Sequence, residues 1–258
     1  DVDAAMGAHP GAVDAVCPSV EGSGNALACQ AVRIAFHGKP AHAAADPYNG
    51  INALDAVIHV FNGINALRQH VRSDARLHGI IRHGGDAPNV IPHFAEAEFY
   101  VRAATRAYMT ELIERVRGIA GGAAAMTGAR LEFTFPEGAN SDMITNYTIA
   151  RQMKKHFDLL GLPMPEAKPA EGSGSSDWGN VSYVVPSVET GFPILDRMCT
   201  WHSQEVVEAA DSDLGYRNAL IAAKAMALTG LDLLASPALL ASAKDEFRRA
   251  RVARSGGR

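Results

Sequence analysis

Residues 31–82 read AVRIAFHGKPAHAAADPYNGINALDAVIHVFNGINALRQHVRSDARLHGIIR, and the change of period inside this stretch decides the fold. Residues 31–36 (AVRIAF) alternate with a period of two, the pattern of a half-buried strand. Between 50 and 71 the apolar side chains Ile51, Leu54, Val57, Ile58, Phe61, Ile64 and Leu67 recur at spacings dominated by three and four. That spacing predicts an amphipathic helix, with Asn49 or Asn52 as its cap. Strand character returns at 77–82 and again at 95–102, with the turn HGGDAPN (83–89) between them. Residues 105–125 are helical, with Met109, Leu112, Ile113 and Val116 on one face, and 130–135 (RLEFTF) is again a strand. The order strand, helix, strand, strand, helix, strand predicts a ferredoxin-like unit, one antiparallel sheet with two helices on one face.

The flanks differ in texture. Residues 1–26 read as irregular and glycine-rich, ending in EGSGNA. Beyond 137 the sequence predicts a helix over 145–160, then a proline-rich loop over 161–180 (GLPMPEAKPAEGSGSSDWGN). A short apolar strand, VSYVVPSVE (181–189), follows, interrupted by Pro186. Helices over 211–234 and 237–251 precede a disordered-looking end, RSGGR. The expected fold class is α/β, with residues 27–137 as one compact unit inserted into a larger one supplied by 1–26 and 138–258.

Bulk properties narrow the function. The 258 residues suffice for a sizeable core. A net charge of -4 and 7% aromatic residues exclude the basic, aromatic-studded surface that nucleic acid needs. No run of eighteen apolar residues occurs, so no membrane partner is expected. The start, DVDAAMGAHPG, does not read as a signal peptide. Cys17, Cys29 and Cys199 are too few and too scattered for a disulfide framework or a zinc ribbon, which points to the cytoplasm.

Ten histidines divide into two groups. His59, His70 and His156 sit on helices, and His78, His83 and His93 flank the strand pair without ligand-like spacing. His9, His37, His42 and His202 lie in loops among small residues, where backbone can approach a ligand. His42 is either a turn-holding histidine or a hydrogen-bond donor at a reaction centre. Asn89 lies in the turn, and Arg102 ends a strand with a planar fork suited to a carboxylate. The glycine-rich loop GSGSSDWGN (172–180) carries Ser176 and Asp177 and could offer backbone amides to an oxyanion. His9 and His202 are candidate imidazole ligands for a divalent metal. No nucleophile elbow, His-Glu-x-x-His motif or phosphate loop is present.

Four segments in order, AMGAHPG, GKPAHAAADPYNGINALDA, GGDAPNVIPHFAEAEFYVRA and GSSDWGNVSYVVPSVE with the later WHS, resemble the co-catalytic metallohydrolases that include aminoacylase and carboxypeptidase G. The likeness is greatest to the amidohydrolase branch holding the B subunit of p-aminobenzoyl-glutamate hydrolase and β-alanyl dipeptidase-like proteins. It implies a partial zinc-peptidase-like catalytic domain with an inserted ferredoxin-like lid and dimerisation domain. It implies hydrolysis of an amide bond in a small N-acyl amino acid, aminobenzoyl-glutamate-like compound or dipeptide, by a homodimer joined through the lid. His9 and His202 would be metal ligands for two divalent ions, zinc or manganese. His42 would cross to the partner's site and donate to the oxyanion. Asn89 and Arg102 would hold the substrate's carboxylate, and Ser176 and Asp177 would line the cleft. The family's upstream ligand motif and Glu-Glu pair have no counterpart, since no two glutamates are adjacent here. The expectation is a chain that starts after them, binds metal poorly and is inactive alone. The alternative is a non-catalytic dimerising protein that keeps the lid.

Overall fold

A computed structural model describes residues 2–165 and 174–256. The chain divides into two compact units, unit 1 comprising Asp1–Ala26 and Met143–Arg258 and unit 2 comprising Leu27–Asp142.

Unit 2 contains β2 (Ala28–His37), α1 (Ala53–Leu67), β3 (Arg76–His83), β4 (Phe94–Ala103), α2 (Arg106–Thr127) and β5 (Arg130–Thr134). The sheet order is β3-β4-β2-β5 and every pairing is antiparallel, which is the ferredoxin-like topology. Burial along β4 alternates residue by residue, so Ala95, Ala97, Phe99, Val101 and Ala103 face the core. Val32, Ile34 and Phe36 of β2 join them, under Val57, Val60 and Ile64 of α1 and Leu112 and Val116 of α2. The Asn52 side chain accepts the amide hydrogens of Leu54 and Asp55, so α1 starts at Ala53 rather than at 50. Thr105 caps α2 at Tyr108, and Gly128, at φ 77°, ends it in the left-handed region that a side chain would strain.

Unit 1 is built on two parallel strands, β1 (Ala5–Gly11) and β6 (Ser187–Pro193). Around them lie α3 (Tyr147–Leu159), α4 (Trp178–Ser182), α5 (Gln204–Ala210), α6 (Asp213–Ala235) and α7 (Pro237–Gly256). Ile149, Met153 and Phe157 of α3 meet Val188 of β6 and Ala222 and Ala225 of α6 in its core. The amides of Tyr147 and Thr148 donate to the Glu246 carboxylate at 2.6 and 2.9 Å, so α7 supplies an anion to the positive end of α3.

Four sequence expectations need correction. Residues 1–26 are not wholly irregular, because β1 pairs along its full length with β6. The segment 181–189 is not one strand: Val181 and Ser182 end α4, and the strand begins only after Pro186, whose carbonyl accepts the Ala5 amide at 3.0 Å. The helix expected over 211–234 begins at Asp213, capped by Ser212, and is preceded by the separate α5. The last helix continues to Gly256, three residues into the RSGGR end. Residues 166–173 of the proline-rich loop, with Gly172 and Ser173 of the glycine-rich one, lie outside the described residues. By length and composition α6 could cross a membrane, with a mean hydropathy of 1.3. Here its Gly215, Asn218, Ala222, Ala225, Thr229 and Leu233 form a buried stripe of the unit 1 core, at helical spacing.

Candidate functional site

In unit 1 the parallel register sets His9 opposite Gly191 and Gly7 opposite Glu189. Residues two apart on a strand share a face, so His9 projects beside Gly7. A Cβ on Gly7 would lie 2.2 Å from Trp178 Cζ2, so the absent side chain makes room for the indole. The Trp178 amide donates to Ser176 Oγ at 3.2 Å, and Ser176 Oγ donates to Glu189 Oε1 at 3.1 Å. His9, Ser176 and Glu189 thereby line one open cavity of about 350 Å³, with Asp14, Asn25 and Thr190 also on its wall.

The electrostatics of this cavity centre on Glu189. Burial raises its carboxyl above the usual 4.5; the Ser176 hydroxyl and His9 pull it back, while Asp177 pushes it up. A carboxyl raised by folding contributes stability that is full below its ordinary value and is lost as pH rises through the raised one. Glu189→Gln is therefore expected to raise Tm near pH 7 and to leave it unchanged at about pH 4. Thermal unfolding at both values checks this, and equal shifts at the two would assign the effect to packing.

His9 Nδ1 lies 2.7 Å from the Pro10 carbonyl, so that nitrogen donates. The His9 ring centroid is 6.5 Å from that of Trp201, which brings the segment carrying His202 alongside. His202 is the one non-glycine residue with positive φ among the described residues, at 63°. By donor chemistry the fit to a metal is partial: His9, Asp14 and Glu189 line the cavity, and His202 is not part of its lining. No group of three or more His, Cys, Asp or Glu side chains able to hold a metal ion occurs among the described residues. These residues do not by themselves form a metal centre.

In unit 2, His42 and Asn89 come together and Arg102 stands apart. His42 bridges to Val90, and the Ala43 amide donates to the Asn89 carbonyl at 3.0 Å. The amides of Ala44 and Ala45 approach His42 Nδ1 at 3.3 and 3.1 Å. An accepting Nδ1 carries no proton, so the ring proton sits on Nε2 of an exposed imidazole. Arg102 pairs with Cys29 and Arg76 at the other end of β4, its Cζ 5.6 Å from the centre of the Tyr100 ring. Eight residues separate it from Phe94, roughly 27 Å at strand rise. Asn89, further still, cannot share one subsite with Arg102 inside a single unit 2.

Sequence reasoning missed Glu189, Trp178 and Trp201. Glu189 follows an apolar run and reads as an ordinary strand carboxylate. Only the pairing of β6 with a strand some 180 residues earlier puts it beside His9.

These observations define an α/β protein with an inserted ferredoxin-like domain and an open cavity at the paired strands of its larger unit. Residues 29–125 match the family described as the peptidase dimerisation domain, M20_dimer. The chain is 35% identical to the Xaa-Arg dipeptidase of Mus musculus, over 84% of this chain and 51% of that protein. It is 26% identical to the B subunit of p-aminobenzoyl-glutamate hydrolase from Escherichia coli, over 96% of this chain and 62% of that one. The crystal structure of an aminobenzoyl-glutamate utilization protein from Klebsiella pneumoniae superposes with a TM-score of 0.64 and 21% identity, over 90% of this chain and 55% of that one. The chain is similar over most of its length to hydrolases of the M20 peptidase family, whose dimerisation domain its residues 29–125 match. It spans 51% to 62% of the length of these relatives.

Proposed function

We propose that the protein hydrolyses an amide bond in a small substrate, a dipeptide, N-acyl amino acid or aminobenzoyl-glutamate-like compound, as a cytoplasmic, metal-dependent homodimer. The observation that carries this reading is the cavity that gathers His9, Ser176 and Glu189, in a chain 35% identical to a dipeptidase across 84% of its length. Enzymes of the family are generally metal-dependent. His9 and His202 would be this chain's share of the ligands for two divalent ions, zinc or manganese. The remaining ligands and the general base would come from the part of the relatives' length that this chain does not span. A metal supplies a polarised carbonyl and an activated water in such hydrolyses. Three free cysteines, Cys17 and Cys29 buried and Cys199 half-buried, favour a reducing compartment.

The two ends of unit 2 take different parts in this reading. Cys29 pairs with both Arg102 and Asn140, so the chain enters and leaves the unit at the Arg102 end. Arg102 would grip the substrate's carboxylate. His42 and Asn89, at the opposite end of the sheet, would serve the partner, with His42 Nε2–H donating to the developing oxyanion. Ser176 and Asp177 would line the cleft. Edge strand β3 would join the two copies, because its Ile80 and Ile81 are 64% and 44% exposed and it offers an unpaired backbone edge.

Assays of the full-length enzyme on Xaa-Arg dipeptides, p-aminobenzoyl-glutamate and N-acetyl amino acids, with and without chelator, test the reading. Turnover that ignores the chelator would sink it. Arg102→Ala is expected to raise KM by about 10- to 100-fold with a smaller effect on kcat, because a charged hydrogen bond to the ground state is lost. An unchanged KM would remove Arg102 from the substrate site. The partial donor set also favours a second reading, a dimerising protein without catalysis, which inactivity of the full-length protein on all three substrate classes would support.

A further inference from the structure

At the start of β3, the turn that follows α1 encloses a cavity of about 280 Å³ bordered by Arg68, Arg72, Ser73, Arg76, Leu77 and His78. Three guanidinium groups share this small space, and none of them is ion-paired to a carboxylate among the described residues. Their bonds run instead to neutral oxygens, which fix the planes and leave the charge in place. Arg68 donates through Nε and Nη2 to the Leu77 carbonyl at 3.2 and 2.7 Å, and through Nη1 to Asn65. Arg76 Nη1 donates to the carbonyls of Ser73 and Ala75 at 2.5 and 2.8 Å. Arg72 stacks on Tyr108, its Cζ 4.2 Å from the ring centre, which occupies a face of the fork and none of its N–H edges. The His78 imidazole is held below its usual pKa, chiefly by burial and to a lesser extent by Arg102 and Arg68. Like charges gathered this closely repel, and a bound anion relieves that repulsion.

We propose that this cavity binds a compact oxyanion, phosphate or a phosphate monoester, through the outward N–H edges of Arg72 and Arg76 with the Ser73 hydroxyl as a third donor. Guanidinium forks match tetrahedral oxyanions two bonds at a time, which a lysine cannot do. The amide-hydrolysis reading uses neither Arg68, Arg72 nor Arg76, so this site stands or falls separately from it.

Calorimetric titration of the 258-residue chain with inorganic phosphate, at ionic strength held constant with sodium chloride, tests the site. Saturable binding is expected, weakened at least about tenfold by the double substitution Arg72→Gln and Arg76→Gln, both on exposed side chains. No saturation up to about 10 mM phosphate, or equal binding by the variant, overturns the proposal. Succinate serves as the dicarboxylate control, and succinate binding as tight as phosphate overturns the assignment to phosphate. A measurement on the unaltered chain covers a variant that fails to fold. Phosphate should shift the imidazole resonances of His78 and leave those of His59, on the exposed side of α1, in place. Equal movement of both, or of neither, counts against the site.

Discussion

Replacing His42 with Gln in the full-length enzyme should lower kcat by about 10²- to 10³-fold, the effect of removing one preorganised donor from a developing oxyanion. The Ala44 and Ala45 amides hold His42 Nδ1 as an acceptor, so Nε2–H is presented before any substrate arrives. Glutamine keeps a donor but loses the ring that those amides orient. KM should change little, since the donor meets charge that grows only in the transition state. The same substitution tests the dimer. His42→Gln protein mixed with His9→Ala protein, each nearly inactive, should recover about one quarter of wild-type activity after subunit exchange. About half of randomly assembled dimers are mixed, and in each of these one site has an intact His9 and an intact partner His42. Absence of recovery, with mixed dimers demonstrated by mass spectrometry, would mean that His42 serves its own protomer.

Unit 2 was legible in the sequence because its elements are half-buried. The alternation along β4 and the three-and-four spacing along α1 each write the position of the core directly into the residue order. Asn52 and Thr105 then fix both helix starts by local hydrogen bonds, which a reader of sequence can anticipate. Unit 1 lacked such cues. In AMGAHPG the small residue Gly7 is dictated by Trp178, a neighbour about 170 positions away, so no period appears within the segment. The run Val181, Val184 and Val185 fits a strand or a turn of buried helix equally, and α4 takes its first residue. Paired strands β1 and β6 also explain why His9 was legible and Glu189 was not. A histidine among small residues invites a chemical reading, whereas a glutamate in a strand acquires one only from what packs beside it.

The second large effect is expected at His202, where function and backbone strain can be separated by the choice of substitution. A non-glycine residue at φ 63° costs about 1–2 kcal/mol relative to an ordinary backbone. His202→Ala retains that cost, and His202→Gly removes it at an entropic penalty of about 0.5–1 kcal/mol. Glycine should therefore leave Tm unchanged or slightly higher, and alanine should leave it unchanged or slightly lower. If His202 is a metal ligand, both variants of the full-length enzyme should lose more than about 100-fold in activity, because even outer partners of such ligands are worth 10–100-fold. Bound metal, measured by elemental analysis after dialysis, should fall in parallel. A purely structural histidine predicts the reverse pattern, with glycine active and alanine impaired in proportion to its loss of stability. His9→Ala supplies the matching control, since His9 lies in an unstrained strand and its removal should cost activity and metal with little change in Tm. Retained metal in both the His9 and the His202 variants would leave the imidazole pair without the role assigned to it, however the cavity around Glu189 is used.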